Sequence, residues 1–326
     1  MKNDLEIKGK IIWLLRDSKE GYISGESISK KLGFSRAYLW KYISELRDDG
    51  YSIDAEPHKG YSLRSSPDKL FDFEVKRLLR TQTIGKNGLY YYSKISSTND
   101  TAYALAEEGV KDGAVVIAEV QTGGKGRLGR KWVSPPGGLY FSLVLRPGLP
   151  LKDVQSVTLL AASAVSRSIL NVTGVRTGIK WPNDVFFKDK KICGILTEVK
   201  AHPDKLDYLI LGVGVNVNTP VSKLPAMSTS IKDVANYSTD RRALLSDILF
   251  EFEARYNELK DKGFGRLREE CKKYSILLGN KVKITLHDRI IEGIAEDIDE
   301  IGALVVAGAN GKKQRIFSGD VELCRM

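Results

Sequence analysis

The run Gln121-Thr122-Gly123-Gly124-Lys125-Gly126-Arg127-Leu128-Gly129-Arg130-Lys131-Trp132 places four glycines, four cations and one tryptophan in twelve residues, with no acid. Glycines let backbone N–H groups approach a ligand closely. The cations suit a ligand carrying several phosphates, and the tryptophan offers a flat face to a base. A loop folded around a nucleotide is expected. The Gly124-x-Gly126-x-x-Gly129 spacing matches the dinucleotide fingerprint only in its letters. That motif must open a helix and carry an acid about 20 residues on, whereas Trp132, Pro135-Pro136 and Gly137-Gly138 follow here and the next acid is Asp153. A G-x-x-x-x-G-K-[ST] phosphate loop is absent from the sequence.

The chain around the loop, about 70–270, alternates apolar strands (114–120, 209–213) with helices expected to be amphipathic (154–170, 241–259), which reads as a mixed α/β domain. Upstream, three short helices are expected: one over 7–17, one capped by Ser24, and one capped by Ser35 that runs to Asp49 with Leu39, Ile43 and Leu46 facing inward. The period then changes to two, with a turn at Pro57-His58-Lys59-Gly60, so helices followed by a hairpin give a winged helix-turn-helix. Downstream, short strands over 282–286, 290–298, 303–306 and 312–317 give a small β-barrel. The expected fold is α+β and multidomain: a winged helix-turn-helix in 1–65, a central α/β domain in 66–270 and an SH3-like β-barrel in 271–326.

Net charge is +10, but residues 1–66 carry only +2, and six cations lie between Glu119 and Asp153 without an acid. The strongest positive field therefore sits at the glycine loop and points to an anionic partner. Cys193, Cys271 and Cys324 are far apart, odd in number and lack a C-x-x-C spacing, and the three histidines are scattered. Neither a disulfide framework nor a metal site is expected, and a reducing compartment is. The longest apolar run near the start is five residues, 11–15, and no uncharged stretch approaches membrane length. A cytoplasmic protein without membrane contact is the expectation.

Five further motifs bear on chemistry. Ser96-Ser97-Thr98-Asn99 sits where a strand meets a helix. One hydroxyl suffices for an N-cap, and the rest could bond a polar, uncharged head group such as a urea or amide. Lys180-Trp181-Pro182-Asn183-Asp184 ends a strand, and Lys190-Lys191 opens another, either placed to touch ligand or simply solvated. Gly212-Val213-Gly214-Val215-Asn216 is a strand with glycines, which suggests close approach of ligand or backbone. The third helix carries Arg36, Tyr38, Trp40, Lys41 and Arg47 off its apolar stripe, and Lys59 tips the wing. Such groups suit phosphates and base edges, although a protein-binding winged helix with a solvated basic face would look similar. No Ser-His-Asp or Cys-His set is evident, so catalysis by positioning and charge is expected.

Taken in this order, these motifs resemble the biotin protein ligases, and with the winged helix in front and the barrel behind the whole chain resembles the bifunctional biotin ligase and biotin-operon repressor family. The resemblance implies a biotin/ATP-binding catalytic domain that joins biotin to ATP with Mg²⁺, giving biotinyl-5′-AMP and pyrophosphate. Biotin then passes to a lysine of a biotin carboxyl carrier protein, of acetyl-CoA carboxylase or another biotin-dependent carboxylase. It assigns Ser97, Thr98, Asn99, Gln121, Lys125, Gly126, Arg127 and Lys191 to biotin, and Arg127, Arg130, Trp132, Asn183 and Asn216 to ATP or adenylate. Lys191, Arg127 and Asp184 are the implied catalytic residues; no protein metal ligand is. Ser35, Arg36, Tyr38, Lys41 and Lys59 are implied for operator DNA, bound by a homodimer that the adenylate promotes as corepressor. One residue departs from the family: the usual Gly-Arg-Gly-Arg is Gly124-Lys125-Gly126-Arg127 here. A lysine keeps the charge but loses the fork; function survives if the contact is through backbone, and the intermediate is held less tightly if it is not. A lipoate or octanoyl ligase, and a vitamin-sensing transcription factor without ligase chemistry, are the competing readings.

Overall fold

A computed structural model describes residues 2–18, 21–202, 205–286 and 289–324. Of the histidines, His287 lies outside the described residues. The chain forms two compact units, up to Arg77 and from Leu78 onward.

The first unit contains α1 (Lys2–Arg16), α2 (Gly25–Leu32), α3 (Arg36–Asp48), the hairpin β1 (Ser52–Glu56) and β2 (Gly60–Ser65), and all but the last residue of α4 (Asp72–Leu78). The caps are those the sequence indicates: Ser24 accepts from Ser27 N–H and Ser35 from Tyr38 N–H. Ile11, Ile12, Leu14, Leu15, Ile28, Leu39, Ile43 and Leu46 are buried, and Tyr42 joins them with its hydroxyl donating to Asp4 at 3.1 Å. That contact helps to explain why α1 begins ahead of residue 7. The wing is pinned by a bridge in which Ile23 and Tyr61 exchange backbone hydrogen bonds at 2.9 Å. Gly60 (φ 104°) makes this possible, because a Cβ there would fall on the Ile23 carbonyl. The buried Glu74 of α4 accepts from Arg16 and from the Tyr51 hydroxyl, each at 2.7 Å.

The second unit is built on a seven-stranded sheet. Its elements are β3 (Leu89–Tyr92), α5 (Thr98–Glu107), β4 (Ala114–Ala118), β5 (Leu139–Leu145), α6 (Val154–Thr173), β6 (Gly178–Lys180), β7 (Asp184–Phe187), β8 (Lys190–His202), β9 (Lys205–Val215), α7 (Ile231–Ala235), α8 (Arg241–Lys262) and α9 (Gly265–Tyr274). The strand order is β3-β4-β5-β9-β8-β7-β6, parallel only between β3 and β4. Alternation along the strands sends Phe141, Leu143, Leu211 and Val213 toward α6 and α8, while Val116, Val144 and Ile210 meet Ala102 and Ala106 of α5 on the other face. The expected amphipathic α6 is instead buried almost all round, because it lies between the sheet and helices α8 and α9. Glu253 on α8 accepts three consecutive backbone N–H groups, from Gln82, Thr83 and Ile84, at 2.7–2.8 Å. Among the described residues no helix is long and apolar enough to cross a membrane.

The same unit ends in β10 (Lys281–Thr285), β11 (Ile290–Ile298), β12 (Leu304–Ala307), β13 (Lys313–Ile316) and β14 (Asp320–Leu323). They form a five-stranded antiparallel sheet in the order β13-β12-β11-β10-β14. Strand β14, which the sequence reading did not include, pairs with β10 through Ile284 and Val321. Trp181, in the β6–β7 turn, donates its indole N–H to the Gly302 carbonyl at 2.9 Å and ties this sheet to the larger one.

The triple acceptor role of Glu253 makes it a stability residue. Glu253→Ala, which strands three donors, is expected to lower unfolding stability by about 3 kcal/mol, and Glu253→Gln by less. Urea unfolding checks both.

Candidate active site

The loop 119–138, the start of α5, the β6–β7 turn and the paired strands β8 and β9 enclose a cavity. The glycine loop folds on itself as a small hairpin: Trp132 N–H donates to Gly124 O at 2.9 Å and Gly126 N–H to Arg130 O at 2.7 Å. This turns Lys125, Gly126, Arg127, Arg130 and Trp132 toward the cavity.

One end of the cavity is built from neutral polar groups. Ser97 caps α5, and the bridge between Ile95 and Gln121 brings the two motifs side by side. Gln121 Oε1 accepts from Thr98 N–H at 2.8 Å and its hydroxyl at 3.0 Å, and Gln121 Nε2 donates to Ser134 Oγ at 2.9 Å. Ser142 of β5 shares its single proton between Thr98 Oγ1 at 2.8 Å and Asn99 Oδ1 at 2.6 Å. Asn99 Nδ2 is spent on Glu198 at 2.6 Å, so both ends of that carboxamide are engaged by protein. Ser134, Ser142 and Glu198 were not anticipated from the sequence. A lone hydroxyl inside the apolar run 139–145 was the available signal for Ser142.

The other end is charged. Lys191 Nζ lies 2.7 Å from Asp184 Oδ1 and 5.3 Å from the centre of the Trp132 ring. Arg127 donates to Asn183 Oδ1 at 3.0 Å and to Gly319 O at 3.4 Å, and Asn183 Nδ2 donates to Ile195 O at 2.7 Å. Burial holds the Arg127 guanidinium below its ordinary pKa. Arg130 pairs with Asp320 of β14, and Lys125 with Asp100 of α5. Asn216 does not line the cavity; it is 2% exposed, donates to Thr229 O at 3.1 Å, and leaves its Oδ1 buried without a partner. Among the described residues no group of three or more His, Cys, Asp or Glu could hold a metal ion.

The strand glycines have a specific occupant. Gly194 and Gly214 are paired neighbours on β8 and β9. A methyl on Gly214 would fall on Trp132 Nε1, and one on Gly194 would sit 2.9 Å from the same ring. The close approach expected at Gly214 is therefore made by the loop tryptophan, whose indole N–H is buried without an acceptor, and that at Gly212 by the Asn99 carboxamide; Gly194, which also meets the indole, was not anticipated.

Residues 91–216 match the model of the biotin/lipoate A/B protein ligase family, 8–62 an HTH domain, and 277–323 the biotin protein ligase C-terminal domain. Over 322 residues the chain is 37% identical to the bifunctional ligase/repressor BirA of Bacillus subtilis, covering 97% of this chain and 98% of that one. The chain belongs to the bifunctional ligase/repressor family. It is also 30% identical over 302 residues to the BirA of Escherichia coli, covering 91% of each. Its fold matches the biotin protein ligase of Aquifex aeolicus in complex with biotin and ATP, with a TM-score of 0.64 and 31% identity over 73% of this chain and 99% of that one.

In the HTH unit of this ligase/repressor, the residues singled out for DNA are placed as follows. Ser35 is the α3 cap, and Arg36 is exposed and bonded to Glu26 at 2.7 Å. Tyr38 stands edge-on to Phe34 and Tyr42, Lys41 is exposed beside it, and Lys59 on the wing pairs with Glu56 at 2.7 Å. Arg47, expected off the apolar stripe, is exposed. Its Nε and Nη2 donate to the Ile53 carbonyl at 2.9 and 2.6 Å, so it locks α3 to β1.

Gly214→Ala is expected to lift the Trp132 indole off the sheet at a cost of about 1–3 kcal/mol. Its near-UV circular dichroism should then resemble that of Trp132→Phe, while Gly265→Ala, in open space, should leave the spectrum unchanged.

Proposed function

We propose that this protein adenylates biotin with ATP, transfers the biotinyl group to a lysine of a biotin carboxyl carrier protein, and represses biotin-synthesis genes as a homodimer promoted by biotinyl-5′-AMP. The observation that carries the reading is the two-ended cavity: a neutral hydrogen-bonding pole at Ser97, Thr98 and Gln121, and a cationic pole at Arg127 and Lys191. Residues 1–65 would read operator DNA, 66–270 perform the chemistry and 271–326 support the cationic pole, in a cytoplasmic protein.

In this reading the ureido ring of biotin exchanges hydrogen bonds with Ser97, Thr98 and Gln121, and Asn99 serves by holding Ser142 against Thr98. The carboxylate points to Lys191, Arg127 and the Lys125-Gly126 backbone. Its oxygen bonds to the α-phosphorus of ATP as the bond to the bridging oxygen of pyrophosphate breaks. Lys191 and Arg127 stabilise the negative charge that gathers on the α-phosphoryl oxygens. Asp184 and Asp320 face the cavity and would hold a Mg²⁺ ion, which needs only one or two carboxylates from protein and would offset the negative charge of the ATP phosphates. Trp132 and Arg130 hold the adenosine, with Asn183 as a polar contact; Asn216, which does not line the cavity, bonds the Thr229 carbonyl instead. In the second step the carrier lysine amine attacks the acyl carbon, the bond to AMP breaks, and Asp184 would take the ammonium proton. Arg36, Tyr38, Lys41, Lys59 and the Ser35-capped end of α3 would meet the DNA.

Incubation with biotin, ATP and Mg²⁺ should yield biotinyl-AMP by mass spectrometry; exchange of pyrophosphate with lipoate but not biotin would overturn the reading. Lys191→Ala is expected to slow adenylation about 10²–10³-fold while biotin still binds. For the repressor activity, Arg36→Ala should weaken operator binding and lower the salt slope by about 1 per copy, measured by titration at several salt concentrations.

A further inference from the structure

Two connections flank the cationic pole: the glycine loop, and the stretch 216–230, which grips Lys191. Lys191 N–H donates to Met227 O at 2.9 Å, and Thr229 N–H to Lys191 O at 3.0 Å. The roots of both connections meet at the start of α8. Arg241 there is 3% exposed, and its Nη1 donates to Glu119 Oε2 and to Gly138 O, each at 2.8 Å. Glu119 opens the loop and Gly138 closes it, so one guanidinium bridges the loop's two ends. Next to it, Gly137 O accepts from Asn218 N–H at 2.7 Å. The Asn218 carboxamide exchanges hydrogen bonds with the backbone of Thr239 at 2.8 and 2.9 Å, two residues before Arg241. None of Glu119, Asn218, Thr239 and Arg241 lines the cavity.

The physical consequence follows from burial. A guanidinium out of water keeps its acceptors, because leaving either unpaired is costly. Fixing both ends of a glycine-rich loop removes much of the freedom that a ligand would otherwise have to remove on binding. We propose that Arg241 is a positioning residue that seats the glycine loop and couples it to 216–230, so that both connections close over the adenylate together and its lifetime on the protein depends on this knot. The proposal rests on the ligase reading for its ligand, but not for the coupling itself.

The test uses the full chain, with Arg241→Gln and Glu119→Gln combined so that no buried charge is left alone, and Arg241→Lys as a milder variant. Hydrogen exchange without ligand should show the amides of 119–138 and of 216–230 both exchanging about tenfold faster in the double variant, with the change smaller in Arg241→Lys. With biotin and MgATP, the dissociation rate of the biotinyl-AMP formed in place should rise about tenfold, with biotin affinity held within about threefold. Wild-type exchange and lifetime in the folded double variant would overturn the proposal. So would loosening of 119–138 alone, or a loss of lifetime matched by an equal loss of biotin affinity. If the double variant fails to fold, Arg241→Lys is judged by the same signs. Failure of the wild type to form biotinyl-AMP would count against the ligase reading, while the exchange measurement still decides the knot.

Discussion

A cation taken out of water must find an acceptor, and the active-site half of this molecule is arranged around that demand. The desolvated Arg127 is met by Asn183 and by the Gly319 carbonyl, Lys191 by Asp184, and Arg241 by Glu119 and Gly138. Each acceptor belongs to a different element from its cation, so the pairings tie the glycine loop, the β6–β7 turn and the β7–β8 hairpin together. The cavity gains a positive pole without the cost of bare buried charge. An anionic ligand can then compete for cations that are already in place, which is the preorganisation that charge-stabilised catalysis needs.

The C-terminal sheet takes part in this arrangement. Strand β14 is short, but its first residue, Asp320, holds Arg130, and the preceding Gly319 supplies a carbonyl to Arg127. Trp181 makes a second tie at Gly302. The last strand of the chain therefore helps to shape a site whose main motifs lie nearly two hundred residues earlier. A change at Asp320 reaches the glycine loop through Arg130 without touching any motif residue.

Much of the local structure was legible because it is set by neighbours in sequence. Ser24 and Ser35 cap the helices they precede, and the alternation in 51–63 gives the wing hairpin. The glycine loop, the Ser97-Thr98 cap and the strand opened by Lys191 all come together at the cavity. Most of the residues that were missed share a different character. Ser142, Glu198, Glu253 and Arg241 each act on a partner more than forty positions away, and Arg47, an exposed cation, has as its partner a backbone carbonyl across a turn. A polar residue's type says what it can bond, but not which backbone group the fold will bring to it.

The sequence by itself determined the order of the parts and the chemistry each can offer, because caps, turns, strand alternation and a cation-rich glycine run are properties of adjacent residues. The tertiary structure decided which of those groups are spent on the protein and which are left for a ligand. Asn99 is consumed by Ser142 and Glu198, and Asn216 is buried away from the cavity, whereas Lys191 and Arg127 line it. Gly194 and Gly214 admit an indole because their strands are paired across the sheet. Such outcomes depend on which distant groups burial forces together, and that is settled only when the core closes.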